Sequence, residues 1–401
     1  MRCTKCRQDA CLEIRRHNAA FCEECFLGFF RDQVVRAVEH EKMFRREEPV
    51  LVAVSGGKDS LALWDALLEL GYETTGFYIG LGIPGYSEPS REKCETFAAA
   101  RNAKLLVVDL EAEYGLGISE TAQRTRRPAC SACGLSKRYL FNKVALDNGF
   151  GVIATGHNLD DEAATLFGNV LRWQTGYLGR QAPVLPEENG LVKKVKPLFR
   201  LAERETAAYA ILRGIDYIVD ECPNAVGAKS LFYKDLLNQL EAASPGSKQA
   251  FLMGFLEHAQ PLFHAQEEVA LHACERCGQP TTTPLCAFCR LREEVARPPQ
   301  RRGRGRRPKR WPSGGPTPPA ALPVREMGEE GATPPVPLPM REGGAPATAA
   351  APPVPLPLVD ATDSASAAPA LPSLHRDNEG PASAEPAPPF LRREWGPGGL
   401  G

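Results

Sequence analysis

Ten of the chain's 13 cysteines fall into five C-x-x-C pairs, at 3/6, 22/25, 130/133, 274/277 and 286/289. Two thiols at that spacing reach one metal ion from a single turn of backbone, so the pattern points to ligation rather than to scattered core cysteines. Cys3, Cys6, Cys22 and Cys25 have the form C-x₂-C-x₁₅-C-x₂-C, and Cys274, Cys277, Cys286 and Cys289 repeat it with a shorter loop. Four soft thiolates with no open position suit a closed tetrahedral Zn²⁺, so two structural zinc ribbons are expected. His17, inside the first set, reads as a surface residue. Cys130 and Cys133 stand apart in RRPACSACGLSKRY, ahead of an expected helix, and Cys222 in DECPNA shares their polar context. Three thiolates could hold a 4Fe–4S cluster with one iron free of protein ligands. They could equally run persulfide and disulfide chemistry, or form a third zinc site. Spacing alone leaves these three open. Cys11 and Cys94 read as structural.

The second constellation is SGGKDS, Ser55 to Ser60, directly after the apolar run Val50 to Val54. Gly56 and Gly57 permit a tight turn whose amides converge on one concavity. The helix beginning near Lys58 adds the positive end of its dipole, and Lys58 adds a formal charge. A pyrophosphate fits there, with hydroxyls from Ser55 and Ser60 and with Asp59 placed to bind Mg²⁺ or position ATP. It is not a Walker A loop, because the first glycine of that motif is missing. Paired carboxylates follow at Asp160 and Asp161 in GHNLDDEAAT. They read either as metal-binding or catalytic groups, Asp161 above all, or as N-terminal helix carboxylates favoured by the dipole.

The elements that must position these groups alternate in type. Val50 to Val54, TTGFYIGL, KLLVVDL and GVIATGH are strands. The segment after SGGKDS as far as Leu70, the stretch around Glu92 to Arg101, SKRYLFNKVAL and LDDEAATLFGNVL are helices, and Gly71 stops the first of them. An earlier helix carries Phe29, Val34, Val35, Val38 and Phe44 at helical spacing. Apolar strands alternating with amphipathic helices imply an α/β fold with a parallel sheet covered on both faces. Ligands of such sheets bind beyond the carboxyl ends of the strands, where Ser55, Ile79 and Gly156 stand.

SGGKDS resembles the signature of the PP-loop ATP pyrophosphatases, and GHNLDD resembles an element shared by their tRNA-modifying members. With the terminal ribbons, ACSACGLSKRY and ECPNAVGAKS added in the same order, residues 1 to about 294 resemble the TtcA/TtuA group of tRNA 2-thiolation enzymes, and within it the TtuA subgroup. The resemblance implies a PP-loop domain flanked by zinc ribbons that also present surface to RNA. It implies that a tRNA uridine, at position 54 in the T-loop, is adenylated at O2 and given sulfur. Cys130, Cys133 and Cys222 would then be cluster ligands and, with Asp59, Lys137 and Asp161, the catalytic set. ATP would lie along Ser55, Gly56, Gly57, Lys58, Asp59 and Ser60, with backbone at Ala53, Ile79 and Gly156 on the adenosine and Lys137 on phosphate. The cofactors implied are ATP, Mg²⁺, a 4Fe–4S cluster and two Zn²⁺. The partners are tRNA and a ubiquitin-like carrier with a C-terminal thiocarboxylate, and a homodimer is a further candidate. Relatives can use His where this chain has Cys25. Wobble-uridine 34 thiolation is the nearest alternative, and cytidine-32 thiolation fits less well because that subgroup lacks paired ribbons. An ATP-dependent ligase on tRNA would leave the central cysteines idle, and a non-catalytic scaffold would not need an intact SGGKDS.

Bulk composition agrees with a globular enzyme followed by a tail. Charged residues make up 24% and hydrophobic ones 43%, and the net charge is −1. No apolar run reaches the roughly 20 residues needed to span a bilayer, and the N-terminus lacks a secretory h-region. A cytoplasmic protein with no membrane partner is expected, in a compartment that keeps thiols reduced. The domains read as a ribbon over 1–28, a catalytic domain over 29–240, a helical connection over 241–270, a second ribbon over 271–294 and a disordered tail over 295–401. That tail opens with the basic run Arg301 to Arg310 and continues in Pro/Ala repeats that cannot build a core.

Overall fold

The computed structural model describes residues 1–225, 227–263 and 270–297. A hairpin of β1 (Leu12–Ile14) and β2 (Ala19–Phe21) leads into α1 (Glu23–His40). The central region runs β3 (Val50–Val54), α2 (Lys58–Glu69), β4 (Thr74–Gly80), α3 (Ser87–Ala100), β5 (Lys104–Asp109), α4 (Leu110–Tyr114), α5 (Ile118–Thr125), α6 (Ala129–Asp147), β6 (Val152–Thr155) and α7 (Leu159–Leu171). It continues through α8 (Thr175–Leu178), β7 (Val184–Leu185), β8 (Lys193–Val195), α9 (Glu203–Leu212), α10 (Lys229–Ala243) and α11 (Ser247–Gly254). A second hairpin, β9 (His272–Ala273) with β10 (Pro280–Thr281), precedes α12 (Ala287–Ala296).

The six-stranded sheet has the order β5-β4-β3-β6-β8-β7, parallel throughout except for the β7–β8 pair. From β3 the chain runs outward to β4 and β5, then returns to the other side of β3 at β6. A crevice therefore opens at the carboxyl ends of β3 and β6. Along β3, Val50, Val52 and Val54 face one core while Leu51 and Ala53 face the other, as the two-residue period of a strand requires. The first core holds α1, α2, α7 and α9. The second holds α6 and the C-terminal ribbon.

The parallel sheet and the α/β class agree with the sequence reading, with local differences. Burial on both faces holds for β3 and β6, whereas β5 at the edge is half-exposed. The helix expected after Cys133 begins earlier: α6 starts at Ala129, so Cys130 and Cys133 lie in its first turns rather than ahead of it. Pro128 sits at the N-cap, where a missing N–H costs nothing. Likewise α1 starts at Glu23, inside the first cysteine set, and Phe44 is buried beyond its end. Within the expected helical connection, Leu252 and Phe255 join the first core. The tail from 298 onward, including the basic run, lies outside the described residues, as do 264–269. No described helix is long and apolar enough to cross a membrane.

Candidate active site

The SGGKDS turn is built around two close approaches. Gly56 has φ +74°, and a Cβ there would collide with the Ser90 carbonyl oxygen at the start of α3. Gly156 directly follows β6 with its α-carbon against the loop: a Cβ would stand 2.8 Å from the backbone N and Cα of Ser60. The Ser55 N–H donates to Ser60 Oγ at 3.1 Å, and Ser60 Oγ–H donates to Gly57 O at 3.0 Å, which fixes the turn from inside. Gly57 is the N-cap of α2 and carries no capping side chain, so the first amides of that helix remain available to an anion. The Gly56 carbonyl accepts from Ile218 N–H at 2.8 Å, which ties the segment leading to Cys222 onto the loop.

A network of acids and lysines lies beside the loop. Lys58 Nζ reaches Asp59 Oδ2 at 3.2 Å and Glu203 Oε1 at 2.7 Å, and Lys234 Nζ bridges Asp161 Oδ1 at 2.7 Å and Glu203 Oε2 at 2.9 Å. Asp59 Oδ1 accepts from Asn158 Nδ2 at 3.1 Å and from the Thr206 hydroxyl. Burial pushes the Asp59 carboxyl above its usual range, although Lys58 opposes this. Burial acts on Glu203 in the same direction, yet hydrogen bonds and charge from Lys58 and Lys234 overcome it and bring Glu203 down to about 2. The two aspartates are also helix-end groups. Asp161 and Asn158 form a capping box on α7, while Asp160 accepts from the Glu203 N–H at 2.8 Å and pairs with the buried Lys248.

On the other side of β3, a cavity of ≈180 Å³ is lined by Ala53, Ser55, Ile79, Tyr86, Lys137 and Phe141, with Cys133 and Cys222 in the same wall. Lys137 lies one turn beyond Cys133 on α6 and makes no hydrogen bond or ion pair with any described residue. Its ammonium is therefore available to an anionic ligand. Cys130, at the exposed end of α6, donates its thiol to Asn224 O at 3.1 Å. Asn224 Nδ2 is buried with no partner among the described residues. The sulfurs of Cys130, Cys133 and Cys222 do not all come within 4.8 Å of one another, as those of the two four-cysteine sets do. A single zinc ion, with Zn–S near ~2.3 Å, holds its thiolates closer than that. The trio therefore lacks the close approach of sulfurs that a single zinc ion needs. Cys94 is fully buried, and burial pushes its thiol up to about 12, in keeping with a structural role.

The four-cysteine sets have the spacing of a tetrahedral ion: Cys6 and Cys22 sulfurs are 3.5 Å apart, and those of Cys277 and Cys286 are 3.6 Å apart. Cys286 N–H donates to Cys274 Sγ at 3.2 Å, the kind of bond that stabilises a thiolate. Each set is docked on a helix that carries site residues. The N-terminal ribbon grips α9 through Arg16, whose guanidinium forks onto Glu205 at 3.0 and 2.6 Å, and α1, which leads out of it, adds Phe30 stacked on Tyr209 at 4.0 Å. The C-terminal ribbon grips α6, with Phe288 stacked on Tyr139 at 4.0 Å and Asn142 Nδ2 donating to Gln279 Oε1 at 2.7 Å.

The geometry thus brings Ala53, Ser55, Ile79, Lys137, Cys133 and Cys222 to one cavity, with Cys130 bonded to the segment just beyond Cys222. Asp59 and Asp161 join on the opposite flank of the loop. Gly156 serves close packing against Ser60. The sequence reading missed Asn158, Glu203, Thr206 and Lys234. Only Asn158 carried a local signal, as an N-cap residue three positions before an acid.

Residues 27–227 match the family model of the PP-loop domain, and residues 2–27 match that of the N-terminal LIM domain of the 2-thiouridine synthetase TtuA. A tRNA-5-methyluridine(54) 2-sulfurtransferase from Thermus thermophilus is 54% identical over 297 residues, covering 74% of this chain and 92% of its own length. One from Pyrococcus horikoshii is 44% identical over 298 residues, covering 74% and 96%. Among solved structures, the U34-tRNA thiolase NcsA from Methanococcus maripaludis with its 4Fe–4S cluster aligns with a TM-score of 0.61 over 73% of this chain and 96% of that one. At 22% identity that likeness concerns the fold.

Proposed function

Because the chain belongs to the PP-loop family of tRNA 2-thiolation sulfurtransferases, we propose that it converts 5-methyluridine 54 of tRNA to its 2-thio form at the expense of ATP. The observation that carries this reading is the cavity in which Ala53, Ser55 and Ile79, the nucleotide side, share one wall with Lys137, Cys133 and Cys222. The choice of position 54 rests on what the two relatives are named for.

ATP lies over the carboxyl end of β3 with its phosphates on the loop from Ser55 to Ser60. The α2 amides and Lys58 meet the pyrophosphate, and Mg²⁺ takes carboxylate oxygen from Asp59, a hard ligand for a hard cation. Uracil O2 attacks the α-phosphorus: an O–P bond forms, the bond to the β-phosphate oxygen breaks, and pyrophosphate leaves. Lys137, unpaired in the cavity, holds negative charge on the α-phosphate as it develops. Sulfur then bonds to C2 and AMP leaves with the former O2. Cys130, Cys133 and Cys222 would hold a 4Fe–4S cluster, and Asn224 Nδ2, buried without a partner among the described residues, suits a donor to it. Bound there, the cluster would supply an iron site that activates the incoming sulfur as a nucleophile. Zn²⁺ fills the two four-cysteine sets. The sulfur donor is a ubiquitin-like carrier thiocarboxylate, and the enzyme works in the cytoplasm, where a second copy of the chain is a further partner.

The test is anaerobic purification followed by iron analysis and nucleoside mass spectrometry of tRNA incubated with ATP and sulfide. Wild-type protein should carry about four irons and place sulfur at position 54. Cys222→Ala should lose both iron and product. An iron-free protein that still thiolates would refute the cluster assignment, and sulfur mapped to uridine 34 would refute the target.

A further inference from the structure

The C-terminal end of α7 closes in a Schellman turn, in which Gln174 N–H donates to Asn169 O and Trp173 N–H to Val170 O, each at 3.0 Å. The residue at the left-handed position of that turn is Trp173, with φ +47°. Glycine normally holds this position, and a bulky side chain is strained there. Burial offers no compensation, since Trp173 is 71% exposed and its indole makes no hydrogen bond with a described residue. Neither backbone preference nor core packing therefore accounts for a tryptophan at this site.

Its surroundings suggest what the ring meets. Tyr177, one turn on, is 60% exposed and lies under the Arg180 guanidinium at 5.5 Å. Arg172 precedes the tryptophan, and one guanidinium nitrogen donates to Tyr233 OH at 3.4 Å. From Leu171 to Arg180 the chain carries two arginines and no carboxylate. Exposed aromatic faces interleaved with arginines are how proteins hold unpaired RNA bases: rings and guanidinium planes stack on bases while the positive charge meets phosphate. Resting on the function proposed above, we propose that Trp173 and Tyr177, flanked by Arg172 and Arg180, form a stacking platform for unpaired bases of the tRNA substrate. The platform stands at the opposite end of α7 from Asp161, roughly 20 Å along a helix of this length. It grips the RNA away from the reacting uridine and so contributes to binding rather than to chemistry.

The decisive variant is Trp173→Gly, which removes the ring and gives the turn its preferred residue, so the fold is retained. The measurements are tRNA affinity at two salt concentrations, steady-state thiolation and sedimentation. Trp173→Gly should bind tRNA about tenfold more weakly, raise KM for tRNA by a similar factor and leave kcat within about twofold. Trp173→Phe should recover most of the affinity, and Arg180→Gln should flatten the salt dependence. Unchanged tRNA affinity in Trp173→Gly overturns the inference. So does a loss of self-association with tRNA binding intact, which would make this face a contact between two copies. Wild-type protein that thiolates no tRNA at all would refute the proposed function, whereas wild-type activity with Trp173→Gly binding equally well refutes only the platform.

Discussion

Gly156→Ala is a one-carbon test of how the nucleotide loop is held. The added Cβ would sit 2.8 Å from Ser60 N and Cα and 2.9 Å from Asp59 C, all backbone atoms, where ordinary contact begins at 3.4 Å. A rotamer change cannot relieve this, so β6 and the start of α2 must separate by roughly 0.6 Å. Overpacking of that kind costs about 1–3 kcal/mol, or roughly 4–8 °C in Tm at the midpoint of that range for a domain of this kind. The displacement falls on Asp59 and Ser60, whose contacts with Asn158, Thr206 and Gly57 set the loop. A reacting group moved by about 1 Å can lose on the order of 10²-fold in rate, so tRNA-dependent AMP formation should fall by roughly 10- to 100-fold while the secondary structure stays intact. Gly151→Ala is the control. It stands just before the same strand, where a Cβ would meet nothing closer than the Glu48 carboxylate at 3.9 Å, and it should leave both turnover and Tm unchanged. Wild-type turnover and Tm in Gly156→Ala would refute the claim that this glycine is required for the close approach.

Three further outcomes are expected. Lys194 sits beside Phe141, 5.7 Å from the ring centroid, and burial together with Lys196 brings it down to about 8. The unfolded chain keeps that proton up to the ordinary lysine range, so the stability penalty is complete below pH 8 and is relieved as pH rises towards about 10.5. Lys194→Met should therefore gain up to about 3 kcal/mol at pH 7 and nothing above pH 11; denaturant melts showing a pH-independent gain, or a loss at pH 7, would contradict this. Removing one ligand from each ribbon should separate their effects: Cys22→Ser should mainly weaken ATP binding through α9 and Glu203, and Cys286→Ser should mainly lower iron content through α6. Equal losses of both properties in both variants would argue for global unfolding instead. Truncation after Arg297 should leave metal content and Tm unchanged while weakening tRNA binding and its salt slope, because the basic run Arg301 to Arg310 is removed. Equal affinities and slopes would remove that run from RNA binding.

What could be read in the sequence was what lies close together along the chain. SGGKDS follows its strand directly, both ribbons are written in cysteine spacing, and LDDEAATLFGNVL begins and ends where α7 does. Lys137 was legible because one turn of α6 separates it from Cys133. The rest depends on long-range pairing. Glu203 meets Lys58 across 145 residues and Thr206 meets Asp59 across 147, and neither segment carries a motif. The short β7–β8 hairpin escaped notice because β8 reads KKV: two lysines in a three-residue strand give no apolar run. Trp173 escaped for the opposite reason, since an aromatic residue at the end of an apolar helix reads as core until its φ and exposure are known.

The aspartates of GHNLDD show why helix capping and a role in the site are not rival explanations. Asp161 completes the α7 capping box through one oxygen and binds Lys234 through the other, and Lys234 in turn holds Glu203, which holds Lys58 of the loop. Asp160 faces the other way, fixing the first amide of α9 and so the same Glu203. Both carboxylates therefore act on the nucleotide loop through the position of one glutamate, without either having to touch ATP. Three acids, Asp59, Asp161 and Glu203, meet two lysines there, which leaves one excess negative charge beside a loop built for phosphate. A divalent cation reverses that excess and gives the pyrophosphate a positively charged seat, whereas ATP arriving alone would face Asp59 across the turn. On this charge count, the Mg²⁺ complex of ATP proposed above would suit the loop better than the free nucleotide.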